Sequence, residues 1–192
     1  MPELDMGNLI ARMAVLGAML ASLTACQSVK VIQVQNIKES ESTQKNARIY
    51  CAGTENCHFE RLDQTVIMKE ISVLDREAIK AGVVRMQANS LKDPNPIYLS
   101  VEPGQHELVI SFYPISTDKA ERLHVIHAFK PHTAYTFYMF RDRRKQKASL
   151  LDASVPNPLC VDLKVERKTI RRFCKPYNVL NGLGEFAEKK LK

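Results

Sequence analysis

Ile97 to Pro114 reads IYLSVEPGQHELVISFYP. Ile97, Leu99 and Val101 alternate with Tyr98, Ser100 and Glu102, and beyond Pro103-Gly104 the apolar Leu108, Ile110 and Phe112 alternate with Val109, Ser111 and Tyr113. A period of two sends successive side chains to opposite faces of a strand. Proline sets φ near the value for the first turn position and glycine tolerates the positive φ of the second, so Pro103-Gly104 fits a type II turn between two strands. This stretch therefore predicts β structure.

The same period extends outward. Arg122–Lys130 and Thr133–Arg141 flank Pro131-His132 and carry aromatic and aliphatic residues on both faces, as central sandwich strands do. Shorter strands are expected at Arg48–Cys51, Phe59–Leu62 and Val83–Ala88, and Val161–Val165 with Thr169–Phe173 should form a hairpin. Helix signals are sparse: Asp75 can cap Arg76–Ala81, with Gly82 as the stop. Lys119–Phe129 could be drawn as an amphipathic helix, but its β-branched and aromatic density argues for strand. The expected architecture is mainly β, an antiparallel β-sandwich over residues 47–180 with one or two short helices. Residues 181–192 read as a loose end or a small helix.

The chain has 192 residues, 45% hydrophobic and 26% charged, the mix of a packed domain. With 7 Gly and 9 Pro it is neither collagen-like nor low-complexity. Lys plus Arg is 28 against 21 acidic residues, a net charge of +7 that calls for an anionic partner or surface.

Met6 to Cys26 reads MGNLIARMAVLGAMLASLTAC. A single cation, Arg12, precedes an apolar run rich in small residues, too short to span a bilayer as a mature helix. Acidic residues are unusual ahead of a signal, so translation is expected to start at Met6. Leu23-Thr24-Ala25-Cys26 resembles the lipobox of bacterial lipoproteins. The resemblance implies that residues 1–25 are removed and that Cys26 is acylated. Gln27, rather than an aspartate, follows the cysteine, which implies sorting to the periplasmic face of the outer membrane. Residues 26–46 then form the acylated cysteine and a polar tether.

Cys51, Cys57, Cys160 and Cys174 remain, an even number that suits disulfides in an oxidising compartment. Of the possible pairings, local geometry favours Cys51–Cys57, which closes a loop of turn formers, and Cys160–Cys174, which lie symmetrically about Arg167. A zinc site would need closer spacing.

Tyr98 to Pro114 is similar to the strand, Pro-Gly, x-His, strand phrase of PEGA-like modules, small immunoglobulin-like β-sandwiches of bacterial envelope proteins. Phe129-Lys130-Pro131-His132 and the aromatic strand after it resemble the segment that follows in related lipoproteins. Such domains mostly display or dock.

Catalytic signatures are missing: there is no GxSxG, HExxH, P-loop, GxGxxG or CxxC. No catalytic residue, metal ligand set or cofactor is expected. The alternative is an envelope enzyme or metal-binding factor using His124, His127 and His132, although His124 and His127 split across a strand. Basic charge stands out instead. Arg141, Arg143, Arg144, Lys145 and Lys147 follow the aromatic strand, and Lys164, Arg167, Lys168, Arg171 and Arg172 decorate the cysteine hairpin. They could be a solvated loop and a charged face. The functional alternative is a dock for anionic lipid, the cell wall or an acidic envelope protein, nucleic acid being a poor candidate in that compartment.

Overall fold

The computed structural model describes residues 34, 37, 40–70, 73–87, 95–143, 157–175 and 184–191. The chain divides into two units, Met1–Ile37 and Lys38–Lys192, and every strand lies in the second. In chain order these are β1 (Ala47–Ala52), β2 (Asn56–Leu62), β3 (Thr65–Val66), β4 (Met68–Glu70) and β5 (Val73–Leu74). The helix α1 (Arg76–Lys80) follows, then β6 (Val84–Met86), β7 (Ile97–Val101), β8 (Gly104–Tyr113) and β9 (Glu121–Phe129). The last strands are β10 (Ala134–Arg141), β11 (Leu159–Val165), β12 (Lys168–Lys175) and β13 (Ala187–Lys189).

A seven-stranded sheet runs β13-β12-β11-β10-β1-β7-β6, a four-stranded sheet runs β3-β2-β8-β9, and β4 with β5 makes a small ribbon. The protein is mainly β and its two larger sheets form a sandwich, as expected. One pairing departs from the antiparallel pattern: β1 runs parallel to β10, with Ile49 beside Tyr135 and Cys51 beside Phe137. Alternation along a strand sets which face a side chain takes, not the direction of its neighbour.

The strands on either side of the Pro103-Gly104 turn do not pair with each other. β7 belongs to the large sheet and β8 to the small one, so the turn, with Gly104 at φ +147°, passes the chain between layers. Pro131-His132 does the same between β9 and β10, with His132 at φ +53°. Between the layers Ile49, Leu99, Phe137 and Leu163 of the large sheet and Leu108, Ile110 and Phe112 of the small one are fully buried. Burying each such side chain stabilises the fold by about 1.5–3 kcal/mol.

Local chemistry accounts for the smaller elements. Asp75 caps α1 by accepting the Glu77 N–H at 2.9 Å, and Gly82 at φ +67° ends the turn that follows. Cys51–Cys57 ties β1 to β2, one strand from each sheet, while Cys160 and Cys174 are direct register partners on β11 and β12. Both disulfides match the pairing expected from spacing.

Two boundaries differ from expectation. Ser40 to Asn46, assigned to the tether, fold onto the body through a 3-10 turn at Thr43–Lys45, and buried Asn46 donates from Nδ2 to Ser100 Oγ at 3.0 Å. The C-terminal run holds β13, which pairs with β12 and extends the sheet. Three residues, Ala-Glu-Lys, are too few to display a period.

Candidate functional site

Strand directions give the sandwich two ends. Ala47 lies beside Val101, Arg48 beside Ala134, Tyr135 beside Val165, and Gly104 beside Phe129, so these residues mark one end. The chain arriving through residues 40–46 joins β1 there, and the His132 N–H donates to the Lys45 carbonyl at 3.1 Å. Lys45, Arg48, Lys130, Arg167 and Lys168 are all exposed at this end. None is paired with a carboxylate among the described residues. Glu41, Glu102 and Glu166 are exposed acids of the same end. Sequence reading found Arg167 and Lys168 but missed Lys45, Arg48 and Lys130, which only the pairing of β1 with β10 brings near the β11–β12 turn.

The other sequence-predicted cations are dispersed. Arg171 points into the gap between the layers, donating from Nη1 to the Ile126 carbonyl at 2.7 Å and from Nε and Nη2 to Glu188 at 2.8 and 2.7 Å. Lys175, a cation outside the predicted set, meets Glu121 at 2.6 Å. Both are struts from β12 to β9, the edge of the small sheet, where a capped carbonyl discourages strand addition. Arg172 and Lys164 sit on the outer face of the large sheet. Arg172 holds Asp162 at 2.6 and 2.8 Å and lies over Phe140, and the Lys164 ammonium lies 4.1 Å from the Tyr138 ring centre. Arg141 and Arg143 are at the end opposite Lys45. Arg144, Lys145 and Lys147 lie outside the described residues, as does Cys26.

The histidines do not converge. His124 faces outward from the small sheet and pairs with Glu107, which also accepts from Arg61 at 2.7 Å. Those two hydrogen bonds, from Arg61 first, hold the Glu107 carboxyl below its ordinary range. His127 faces the interior, edge-on to Phe129 and Tyr135, where burial and then Arg171 push its pKa down. His132 is exposed in its turn. His106 binds Asp63 at 2.6 Å; burial raises the Asp63 pKa, but hydrogen bonds from His106 and the Glu107 N–H outweigh it and leave it low. Among the described residues no group of three His, Cys, Asp or Glu could hold a metal.

A cleft of about 500 Å³ opens at the end away from Lys45. It is lined by the turn closed by Cys51–Cys57, including Gly53, Thr54 and Glu55, and by the start of the β8–β9 connection at Tyr113–Thr117. Met139, Phe140 and Arg141 of β10 and Leu159 of β11 complete the lining. The turn is pinned: Asn95 accepts the Cys57 N–H at 2.8 Å and donates to the Thr54 carbonyl at 3.2 Å. Gly53, at φ +97°, packs so closely on β10 that a Cβ would stand 2.1 Å from the Met139 carbonyl oxygen. The Arg141 guanidinium donates from Nη1 to the Asn157 carbonyl at 3.2 Å and meets no carboxylate among the described residues. The chain matches no protein-family model, no curated protein and no solved structure.

Proposed function

We propose that the protein is a lipid-anchored binding module of the cell envelope, held by an acylated Cys26 on the periplasmic face of the outer membrane. Its basic end rests on anionic headgroups. The observation that carries this reading is the gathering of Lys45, Lys130, Arg167 and Lys168, none paired with a carboxylate among the described residues, at the end where residues 40–46 lead into β1. An anchor attached upstream of that end turns those cations toward the lipid. Each basic residue near an anionic surface contributes about 1 kcal/mol, and the attraction decays over a Debye length of ~8 Å at physiological salt. The cations therefore act as the second membrane signal beside the acyl chains.

The lipid attachment is tested by acyl labelling: wild type should incorporate palmitate and lose residues 1–25, and Cys26→Ala should do neither. Docking is tested by sedimenting the chain from Gln27 to Lys192 with phosphatidylglycerol vesicles. Binding should be salt-sensitive, absent on phosphatidylcholine, and largely lost when Lys45, Lys130, Arg167 and Lys168 become Ser. Equal binding by that variant, or loss instead in an Arg143→Ser variant at the opposite end, would refute the basic end as the docking surface. Retention by cell-wall sacculi but not by vesicles would refute lipid as the partner.

A further inference from the structure

We propose that the cleft at the end away from Lys45 is a binding site for a short zwitterionic peptide, with the carboxylate on Arg141 and the free amine toward Glu55. Membrane docking plays no part in this inference, since the cleft is built by other residues at the opposite end of the strands.

The first support is the state of Arg141. Four arginines of the sandwich are matched to carboxylates, Arg61 to Glu107, Arg122 to Glu60, Arg171 to Glu188 and Arg172 to Asp162, while the unmatched Arg48 and Arg167 are exposed at the opposite end. Arg141 is half-buried, makes one bond to a backbone carbonyl and leaves its other donors without a protein acceptor among the described residues. A planar fork of N–H groups beside a cleft is suited to bidentate recognition of a carboxylate.

The second support is a separated opposite charge. Glu55 lines the same cleft, forms no ion pair with Arg141 and has no other cationic partner among the described residues. Two unmatched charges of opposite sign in the lining of one cleft complement a ligand with charged ends of opposite sign. The same lining includes the apolar Met139 and Leu159, and Ile115 with 73% of its surface exposed. That lining suits an aliphatic side chain between a carboxylate and an amine. The cleft volume lies within the ~300–1,000 Å³ typical of small-molecule sites.

The third support is rigidity. The wall carrying Glu55 is fixed by a disulfide, by both ends of the Asn95 amide and by the contact of Gly53 on Met139. A preformed wall lowers the ordering cost of binding.

The experiment is an amide-shift NMR titration of the oxidised chain with alanyl-leucine, alanyl-leucinamide and N-acetyl-alanyl-leucine. The free dipeptide should saturate at about millimolar concentration and shift the amides of Gly53, Thr54, Ser116 and Arg141. Removing its carboxylate charge as the amide, or its ammonium charge by acetylation, should each weaken binding about tenfold, the cost of one charge-assisted contact. Arg141→Met should match the carboxylate loss and Glu55→Gln the amine loss. No shift at the cleft, or equal titration by all three ligands, would overturn the proposal. An unaffected acetylated ligand would overturn the zwitterionic class. The three ligand arms use the wild-type chain, so the outcome does not depend on whether a variant folds.

Discussion

Replacing Arg172 by Met should destabilise the domain by about 3 kcal/mol, the low end of the ~3–5 kcal/mol for orphaning one member of a buried pair. Asp162 is 4% exposed and accepts three hydrogen bonds: from Arg172 Nε at 2.6 Å, Arg172 Nη2 at 2.8 Å and Thr169 Oγ1 at 3.0 Å. Methionine keeps an aliphatic stem against Phe140 but leaves the carboxylate with only the threonine hydroxyl. Water can partly reach the vacated position, because the Arg172 side chain is 19% exposed, which places the loss at the lower bound. Asp162→Asn keeps the shape and one acceptor oxygen and should cost about 2 kcal/mol, a hydrogen bond to a charged group. The double variant removes both charges, so its loss should fall short of the sum of the single losses by at least about 1 kcal/mol. With no Trp in the chain, far-UV circular dichroism in urea is the natural probe. At a slope of about 1–3 kcal/mol per molar, the single losses should move the midpoint by about 1 M or more. A cost for Arg172→Met below about 1 kcal/mol, or additivity of the two changes within ~0.5 kcal/mol, would refute the reasoning.

Further outcomes follow from the same geometry. Loops closed by residues separated by 14 and by 6 correspond to about 3.0 and 2.4 kcal/mol of chain entropy, so converting Cys160 and Cys174 to Ala should lower Tm more than converting Cys51 and Cys57; calorimetry giving the reverse order would reject the entropic account. Gly53→Ala meets β10 backbone at 2.1 Å and should cost more than about 2 kcal/mol, whereas a near-neutral urea midpoint would mean the turn can slide off β10. Burial lowers the pKa of His58 and of His127 from 6.5, so the unfolded chain binds protons first and stability should decline as pH falls through 6.5 toward the folded values. A second decline should begin below 4.5 as Glu60, Glu107 and Glu188, all held low in the fold, take up protons first in the unfolded chain. Urea midpoints measured from pH 7.5 to about 3 should show both steps, and His127→Phe should shrink the first; a midpoint flat across that range would contradict the assignment.

How much of this could be read from the chain depends on the range of each signal. Alternation is local, and it located β7, β9 and β10 to within about a residue or two at each end, as did the Asp75 cap and Gly82 stop for α1, whereas the alternating run in β8 began at Leu108 and the strand begins at Gly104. Cysteine symmetry about Arg167 located the hairpin, because register in a short hairpin is set by its turn. Partner choice is not local. The parallel pairing of β1 with β10, the passage between layers at Gly104 and the cleft built from separate connections all depend on which surfaces fit once both sheets exist. The basic set illustrates the difference most sharply. Arg171 and Arg172 are adjacent in sequence, and the pleat sends them to opposite faces, one to Glu188 and β9, the other to Asp162. A run of consecutive cations within a strand is always divided this way, so it cannot form one patch. Turns escape the division. The two turns bearing Lys130 and Arg167-Lys168 converge only because β10 lies between β1 and β11, which also brings Lys45 to the same end. The surface that can meet an anionic partner is thus a property of strand order, and its residues come from segments that no window of sequence contains together.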